Sequence, residues 1–575
     1  MDVDVVVIGS GPGGLTAAVA LAQAGKRVLV CEQHYVPGGY CHSFMLGGYR
    51  FSPGVHYIGE LQEGGMMRWL YEGLGLTKDL TFLELNPEGF DHVRIGQERF
   101  DIPKGRGRLA ERLAARFPAE RAGIEAYLTA IEGLASELMA LSRIKGIGDV
   151  ARLPWTAPNL TRWGWRTAGA MLDAHIKDPL LKAILSAQSG DHGLPPSKVS
   201  APVHASIINH YFNGGYYPLG GGYAIPRACI RALKRAGGEI RLSTSVSKIL
   251  LEGRRAVGVR LADGTEVRAG VVISNADPEV TYGRLIGRDQ LSPLMRWQLD
   301  RMRYSVTALS LFMATDVDLR GEHGLDSGNY WLYDHADVDA IYRDGIKGQI
   351  FEAASPSAQF LTVTTLKDPS KMHKGHHTLE AFCFVGYDAF SKWAHAPQGA
   401  RGPDYEALKS RLKDKMLRGL ERHVPGLSDR LTFAELATPL SNEFYAGATR
   451  GSLYGTDKTL SQVGPFGFQV KTPFEGLYAV GASTMGHGVA GASISGVEAA
   501  RQILRCRMGE VLRQKGGALE VLPSEDTSAW PQRLRRRMKP RPDSSSADED
   551  APSIPSAIPP ATTPATASAA ACATP

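Results

Sequence analysis

The apolar positions of this chain change period along its length, and each change marks an element. Val5-Val6-Val7-Ile8 is a short, unbroken apolar run that stops at glycine, the pattern of a strand buried on both faces. Gly9-Ser10-Gly11-Pro12-Gly13-Gly14 follows as a turn leading into a helix start, and Arg27-Val28-Leu29-Val30-Cys31 returns as a second strand that ends on the acid Glu32. Between about 61 and 200 the reading is mostly helical, with helical spacing over Arg108–Leu113 and Gly123–Leu141 and prolines as punctuation. Tyr223–Ala236 reads as a helix closed by Gly237-Gly238. Four short strands come next, at Glu239–Leu242, Val246–Leu251, Ala256–Leu261 and Val271–Ser274, with a hairpin turn at Asp263-Gly264. From about 290 to 440 strands such as Phe360–Leu366 and Leu379–Val385 mix with a helix over Tyr405–Arg422. Leu477–Val480 is a last buried strand, followed by glycines and a helix through Val497–Leu504.

This order predicts an α/β protein whose nucleotide-binding part is discontinuous. Residues 1–60, 215–290 and 470–507 form a Rossmann-type domain, and a mixed α+β substrate domain (61–214 and 291–469) is inserted within it. A chain of 575 residues exceeds one simple core, so two intertwined domains are expected. Residues 508–575 start irregularly, pass through a basic cluster (Arg533, Arg535, Arg536, Arg537, Lys539, Arg541) and end in Ala, Pro, Thr and Ser; this tail is expected to be largely disordered.

The glycine turn carries the first chemistry. Gly9, Gly11 and Gly14 fill G-x-G-x-x-G between a strand and a helix, with Pro12 and Gly13 between them and Glu32 at the end of the next strand. Glycines there make the tight turn, admit a pyrophosphate against the backbone and pack helix on strand. The helix N-terminus offers free N–H groups to the phosphates, and the acid accepts ribose hydroxyls. A second glycine pair, Gly38-Gly39, lies just past the acid, where NAD domains often continue into an ordinary helix. It points to the more enclosed FAD. Gly486-His487-Gly488-Val489-Ala490-Gly491 repeats the glycine pattern, but no second strand and acid follow. It reads as a helix N-terminus aimed at the flavin end of the same cofactor, where a dipole stabilises negative charge on the reduced ring.

Composition narrows the class further. A net charge of +6 is small for this length and does not point to nucleic acid. Six scattered cysteines form no C-x-x-C, which suits a reducing, cytoplasmic compartment, and no metal-ligand spacing is evident. The first strand begins almost at Met1, leaving no expected signal peptide, and no apolar run is long enough to span a bilayer.

Several segments together carry a family resemblance. They are Glu32-Gln33-His34, Gly38-Gly39-Tyr40-Cys41-His42-Ser43-Phe44, Gly54-Val55-His56-Tyr57-Ile58-Gly59, Tyr217-Pro218-Leu219-Gly220-Gly221-Gly222, Ser274-Asn275-Ala276-Asp277-Pro278 and the Gly481–Gly496 stretch. The chain resembles the phytoene desaturase, carotenoid isomerase and retinol saturase superfamily over about residues 3–507, most of all its retinol saturase branch. The resemblance implies FAD in a glutathione-reductase-like two-domain fold and desaturation, saturation or isomerisation of long polyenes. It places Gly9, Gly11, Gly14 and Glu32 on the ADP half and Gly38 and Gly39 near the pyrophosphate and ribityl chain. Val246 would lie at adenine, and Gly481, Gly488 and Val489 at the flavin. One departure stands out: related sequences often carry an acid after the phenylalanine where this chain has Phe51-Ser52-Pro53-Gly54. An amine-oxidase-like flavin enzyme and a non-enzymatic carrier of prenylated proteins are the alternative readings of the same fold.

An apolar polyene requires an apolar tunnel, for which Tyr211, Phe212, Tyr216 and Tyr217 are candidates. No acid/base pair is evident; His56 and His487 are the candidates near the cofactor loops, although a lone histidine is as readily structural. The electron donor or acceptor is not identified. Substrates of this kind reside in bilayers, so peripheral membrane contact is expected. The segment Leu141–Leu172, with Arg143, Lys145, Arg152, Arg162 and Arg166 beside Trp155, Trp163 and Trp165, is the expected anchor.

Overall fold

The continuous apolar runs at the N-terminus become the centre of a parallel sheet because both faces of that sheet are covered. The computed structural model describes residues 2–140, 152–513 and 515–536. Strands β1 (Val3–Ile8), β2 (Val28–Cys31) and β3 (Glu239–Arg241) lie side by side and parallel. On the other side of β1 the sheet continues through β6 (Glu266–Ser274) and β7 (Leu477–Ala479), also parallel. An antiparallel meander, β4 (Val246–Glu252) and β5 (Arg255–Leu261), extends from β6. Three widely separated stretches of sequence therefore build one seven-stranded sheet.

Alternation along β1 sends Val5 and Val7 into one core and Val6 and Ile8 into another. Val5 and Val7 pack under α1 (Pro12–Gln23), α2 (Gly488–Leu504) and the helix Ala224–Arg235. Helices α1 and α2 touch closely because Gly496 has no side chain: a Cβ there would stand 2.1 Å from the carbonyl oxygen of Gly13.

The second large sheet is mostly antiparallel and takes its strands from the chain between the nucleotide-sheet segments. Its order is Leu431–Ala437, Thr307–Thr315, His377–Val385, Ala358–Val363, Asn329–Tyr333, Asp91–Ile95 and Glu98–Ile102. One face, with Val93, Trp331 and Phe360, meets helices drawn from residues 106–211; the other, with Leu311, Leu361 and Leu379, meets the helix Pro403–Glu421.

Two sequence expectations change here. The 61–200 region is not uniformly helical: Thr81–Glu84, Asp91–Ile95 and Glu98–Ile102 are strands. They were masked because their side chains alternate with charged neighbours, as in Asp91-His92-Val93-Arg94-Ile95, and pair only with distant partners. The tail expectation fails for residues 515–536. Glu520–Pro523 adds a parallel strand beside Thr81–Glu84, and Trp530 is 2% exposed against Leu83. Residues 537–575 lie outside the described residues.

Candidate functional site

Every glycine of the first motif has a steric reason to be there. Gly9 has φ +88°, and a Cβ on Gly14 would fall 2.3 Å from the Gly9 carbonyl oxygen. Asn275, just past β6, closes the turn: its Oδ1 accepts the Gly14 N–H at 3.1 Å, and its amide would meet a Cβ on Gly11 at 2.5 Å. Pro12 occupies the first turn of α1, where no N–H partner is lost.

Glu32 is 7% exposed at the end of β2. Its carboxylate accepts the Ser10 N–H (2.8 Å), the Ser10 hydroxyl (2.6 Å) and the His34 N–H (2.8 Å). The Ser10 hydroxyl oxygen in turn accepts the Gly38 N–H at 3.0 Å, and a Cβ on Gly39 would lie 3.4 Å from the Gly11 Cα. Both glycine loops thus converge on one carboxylate. Val246 begins β4, two residues after Thr244, whose N–H donates to the Glu32 carbonyl at 2.7 Å.

At the other end, Gly481 follows β7 and donates its N–H to Ser495 Oγ at 2.8 Å. Gly488 and Val489 open α2, with His487 as the preceding cap residue. Among the described residues nothing stands within 4 Å of the position a Gly488 Cβ would take, so the first residue of α2 borders open space. Lys458 adds a buried amine: its Nζ donates to the Ala482 carbonyl at 2.7 Å, and burial pulls its pKa down to about 7. His487 ties this end to two other segments: its ring packs edge-on against Tyr454 at 5.1 Å and its Nε2 bonds the Asp191 carbonyl.

The two histidines part company. His487 lies at the α2 N-terminus and its Nε2 bonds the Asp191 carbonyl at 2.8 Å; burial first, and Lys458 next, push it down to about 3, so the ring is neutral. His56 instead lies against the second sheet, tilted on Phe360 and Phe382, with Nδ1 3.3 Å from Glu380 Oε2. Glu380 Oε1 accepts the Ser52 N–H at 2.8 Å. A carboxylate from a distant strand therefore binds the backbone of the Phe51-Ser52-Pro53-Gly54 segment.

The four aromatic tunnel candidates also divide. Tyr211 stacks on Tyr57 at 4.2 Å, and with Phe212 it lines a small apolar cavity that includes Phe90, Leu128 and Ile184. Tyr216 and Tyr217 are core residues; Tyr217 is fully enclosed and its hydroxyl accepts from Lys371 Nζ at 3.1 Å. Trp163 is likewise corrected: it is 1% exposed, packed on His175 beneath Arg162 and Arg166. Trp155 (81%) and Trp165 (65%) are exposed, and Arg143 and Lys145 lie outside the described residues.

Sequence reading missed the acids. Asp91 and Asp191 meet across the Tyr57 hydroxyl, at 3.1 and 2.6 Å. The signal available was Gly190-Asp191-His192-Gly193, a polar tetrad at the end of an otherwise apolar helical stretch.

A parallel sheet with a glycine turn, a terminal acid and a second helix N-terminus facing the same space defines a two-domain dinucleotide-binding flavoprotein. The family described as flavin containing amine oxidoreductase matches residues 12–504, and the chain belongs to it. It is an oxidoreductase, and its cofactor is FAD. The chain is 32% identical to the all-trans-retinol 13,14-reductase of Danio rerio over 85% of its own length and 84% of that protein. It is 28% identical to the chloroplastic prolycopene isomerase of Arabidopsis thaliana over 87% of its length and 82% of that protein. In fold it is similar to an oxidoreductase from Methanosarcina mazei, with a TM-score of 0.59 at 18% identity, covering 87% of this chain and 100% of that one.

Proposed function

We propose that this protein uses FAD to reduce, or to isomerise through reversible reduction, a carbon–carbon double bond of an apolar retinoid- or carotenoid-like polyene. The similarity to a retinol reductase and a prolycopene isomerase over most of each chain carries this reading. The reductase is the more similar of the two, which favours saturation.

In this reading Gly9, Gly11, Pro12, Gly13, Gly14, Glu32, Gly38, Gly39 and Val246 hold the ADP half. Gly481, Gly488 and Val489 meet the flavin. Bound FAD supplies hydride or electron transfer at its ring. The chain's own residues orient the ring, exclude water and place the positive end of α2 at one edge of it. Incubating the oxidised and reduced holoenzyme with retinoids, carotenoids and amines, followed by mass analysis, tests the reading. A polyene product two hydrogens heavier, or a geometric isomer, supports it; turnover of amines alone overturns it.

Peripheral membrane contact belongs to the same proposal. No helix among the described residues is long and apolar enough to cross a bilayer. Trp165 stacks edge-on with Phe466, whose carbonyl accepts from Gln298, and the neighbouring helix Pro293–Arg301 exposes Leu294 and Trp297. Arg162, Arg166, Arg296 and Arg301 are exposed around them. Aromatic rings with a basic rim suit the headgroup region of an anionic bilayer. A Trp165→Ser, Trp297→Ser double variant should lose co-sedimentation with anionic vesicles while keeping its FAD; equal sedimentation would refute the contact.

A further inference from the structure

Saturating a double bond consumes a hydride and a proton, and the sequence offers no obvious source for the proton. The structure brings two carboxyl groups together on one phenol. Tyr57 Oη lies 2.6 Å from Asp191 Oδ2 and 3.1 Å from Asp91 Oδ2. Two carboxylates sharing one phenolic proton repel each other, and the arrangement that relieves this has one of them protonated and donating to the phenol oxygen.

The surroundings decide which. Asp91 is fully buried and accepts two further N–H bonds, from Gln188 Nε2 at 2.7 Å and Asn329 Nδ2 at 3.0 Å. Lys367 stands behind Asn329, bonded to its Oδ1 and to the His56 carbonyl. These donors stabilise a carboxylate at Asp91. Asp191 has no such donors. Beyond Tyr57 its carboxyl has no hydrogen-bond partner among the described residues, and the residue as a whole is only half-buried. The consistent arrangement is a protonated Asp191 donating to Tyr57, which donates to an anionic Asp91.

The electrostatics agree. Burial, followed by the charge of Asp91, holds the Asp191 carboxyl well above the usual carboxylate range. Burial lifts Asp91 only to about 6, because its hydrogen bonds and Lys367 oppose the shift. Tyr57, Tyr211, Tyr333, Tyr342 and Tyr454 also surround Asp191; burial pushes every one upward, so all stay neutral. His487, on the Asp191 carbonyl, is neutral as well.

Position completes the argument. The His487 bond pins the Asp191 backbone to the residue that caps α2. Tyr454 Oη holds the Gly190 carbonyl at 2.7 Å, and Tyr333 Oη holds the Ala187 carbonyl at 2.6 Å. Gly190 admits no side chain, since a Cβ would meet the Trp331 ring at 2.1 Å. A fixed acid therefore stands where the flavin end of the site meets the second sheet and its helices.

Resting on the polyene-reduction reading, we propose that Asp191 is the catalytic acid of this enzyme, with Tyr57 and Asp91 as the positioning residues that keep it protonated. Bound reduced FAD would supply a hydride to one carbon of the double bond, and Asp191 would turn its proton from the Tyr57 oxygen to the neighbouring carbon. The π bond is lost, two C–H bonds form, and Asp191 is left as a carboxylate. The fixed charge of Asp91 across Tyr57 then favours regaining a proton from water when product leaves.

The test uses the holoenzyme and Asp191→Asn, Asp191→Glu and Asp91→Asn variants. Infrared difference spectra of wild type against Asp191→Asn, without substrate, should show a protonated-carboxyl band at neutral pH that the variant lacks. Asp191→Asn should keep its FAD and bind polyene while losing about 10²–10⁴-fold in turnover, and Asp191→Glu should recover part of that loss. In Asp91→Asn, loss of the neighbouring charge lowers the Asp191 pKa, so the fall in rate with rising pH should move to lower pH. Absence of the infrared band, or unimpaired polyene turnover by Asp191→Asn, would overturn the proposal alone. A wild type that turns over no polyene would overturn it together with the functional reading.

Discussion

Replacing Glu32 by alanine removes the one group on which both glycine loops converge. Its carboxylate holds the Ser10 N–H, the Ser10 hydroxyl and the His34 N–H, and through Ser10 it reaches the Gly38 N–H. In the FAD complex the same group is expected to accept the adenosine ribose. Hydrogen bonds to a charged acceptor contribute about 1.5–3 kcal/mol, so the loss of the ribose contact alone weakens FAD by roughly 10- to 150-fold. The measurement is a fluorescence titration of FAD into stripped protein, with turnover then measured at saturating FAD. The account expects a raised Kd, a turnover close to wild type once saturated, and a Tm that recovers when FAD is added in excess. Unchanged FAD affinity with lost turnover would move Glu32 out of the nucleotide site and refute the reasoning.

Other consequences are equally direct. Gly14→Ala drives a Cβ to 2.3 Å from the Gly9 carbonyl oxygen, and should cost about 1–3 kcal/mol, visible as a lower Tm and loss of FAD on purification. Trp530→Ala empties the small core it shares with Leu83 and Leu534 at a cost of about 3–5 kcal/mol, read as rapid hydrogen exchange in residues 515–536 with FAD content unchanged. His92 bonds Asp101 at 2.7 Å and Asp326 at 2.8 Å; burial alone would lower its pKa, but these partners outweigh it and raise it to about 9. Because the folded value exceeds the unfolded one, its stabilisation is complete below the ordinary histidine pKa of about 6.5 and lost as pH rises through about 9. Urea midpoints across that window should fall more in wild type than in His92→Phe.

The nucleotide half of the molecule was legible because local pattern and tertiary role coincide there. A run such as Val5–Ile8 can only be a strand covered on both sides, and Gly9, Gly11 and Gly14 answer to contacts within the same turn or with Asn275. The second sheet was less legible. Asp91–Ile95 pairs in parallel with Asn329–Tyr333, more than two hundred residues away, so its local sequence carries little trace of the partner. The acid cluster was hidden for the same reason: Tyr57, Asp91 and Asp191 come from three separate segments, and only their meeting point turns ordinary surface-type residues into a buried network. Trp163 shows the converse error, in which an aromatic beside arginines suggested a membrane face although its neighbours bury it against His175. The ordered part of the tail was missed because Glu520–Pro523 needs the edge of Thr81–Glu84 to become a strand.

The central claim, FAD-dependent chemistry on a polyene double bond, is tested most directly by anaerobic titration of the photoreduced holoenzyme with an all-trans retinoid while the flavin spectrum is followed. The account predicts stoichiometric return of the oxidised flavin spectrum, with a product two hydrogens heavier. A flavin that stays reduced with retinoids and carotenoids, in an enzyme whose oxidised form is bleached by a simple amine, would contradict it.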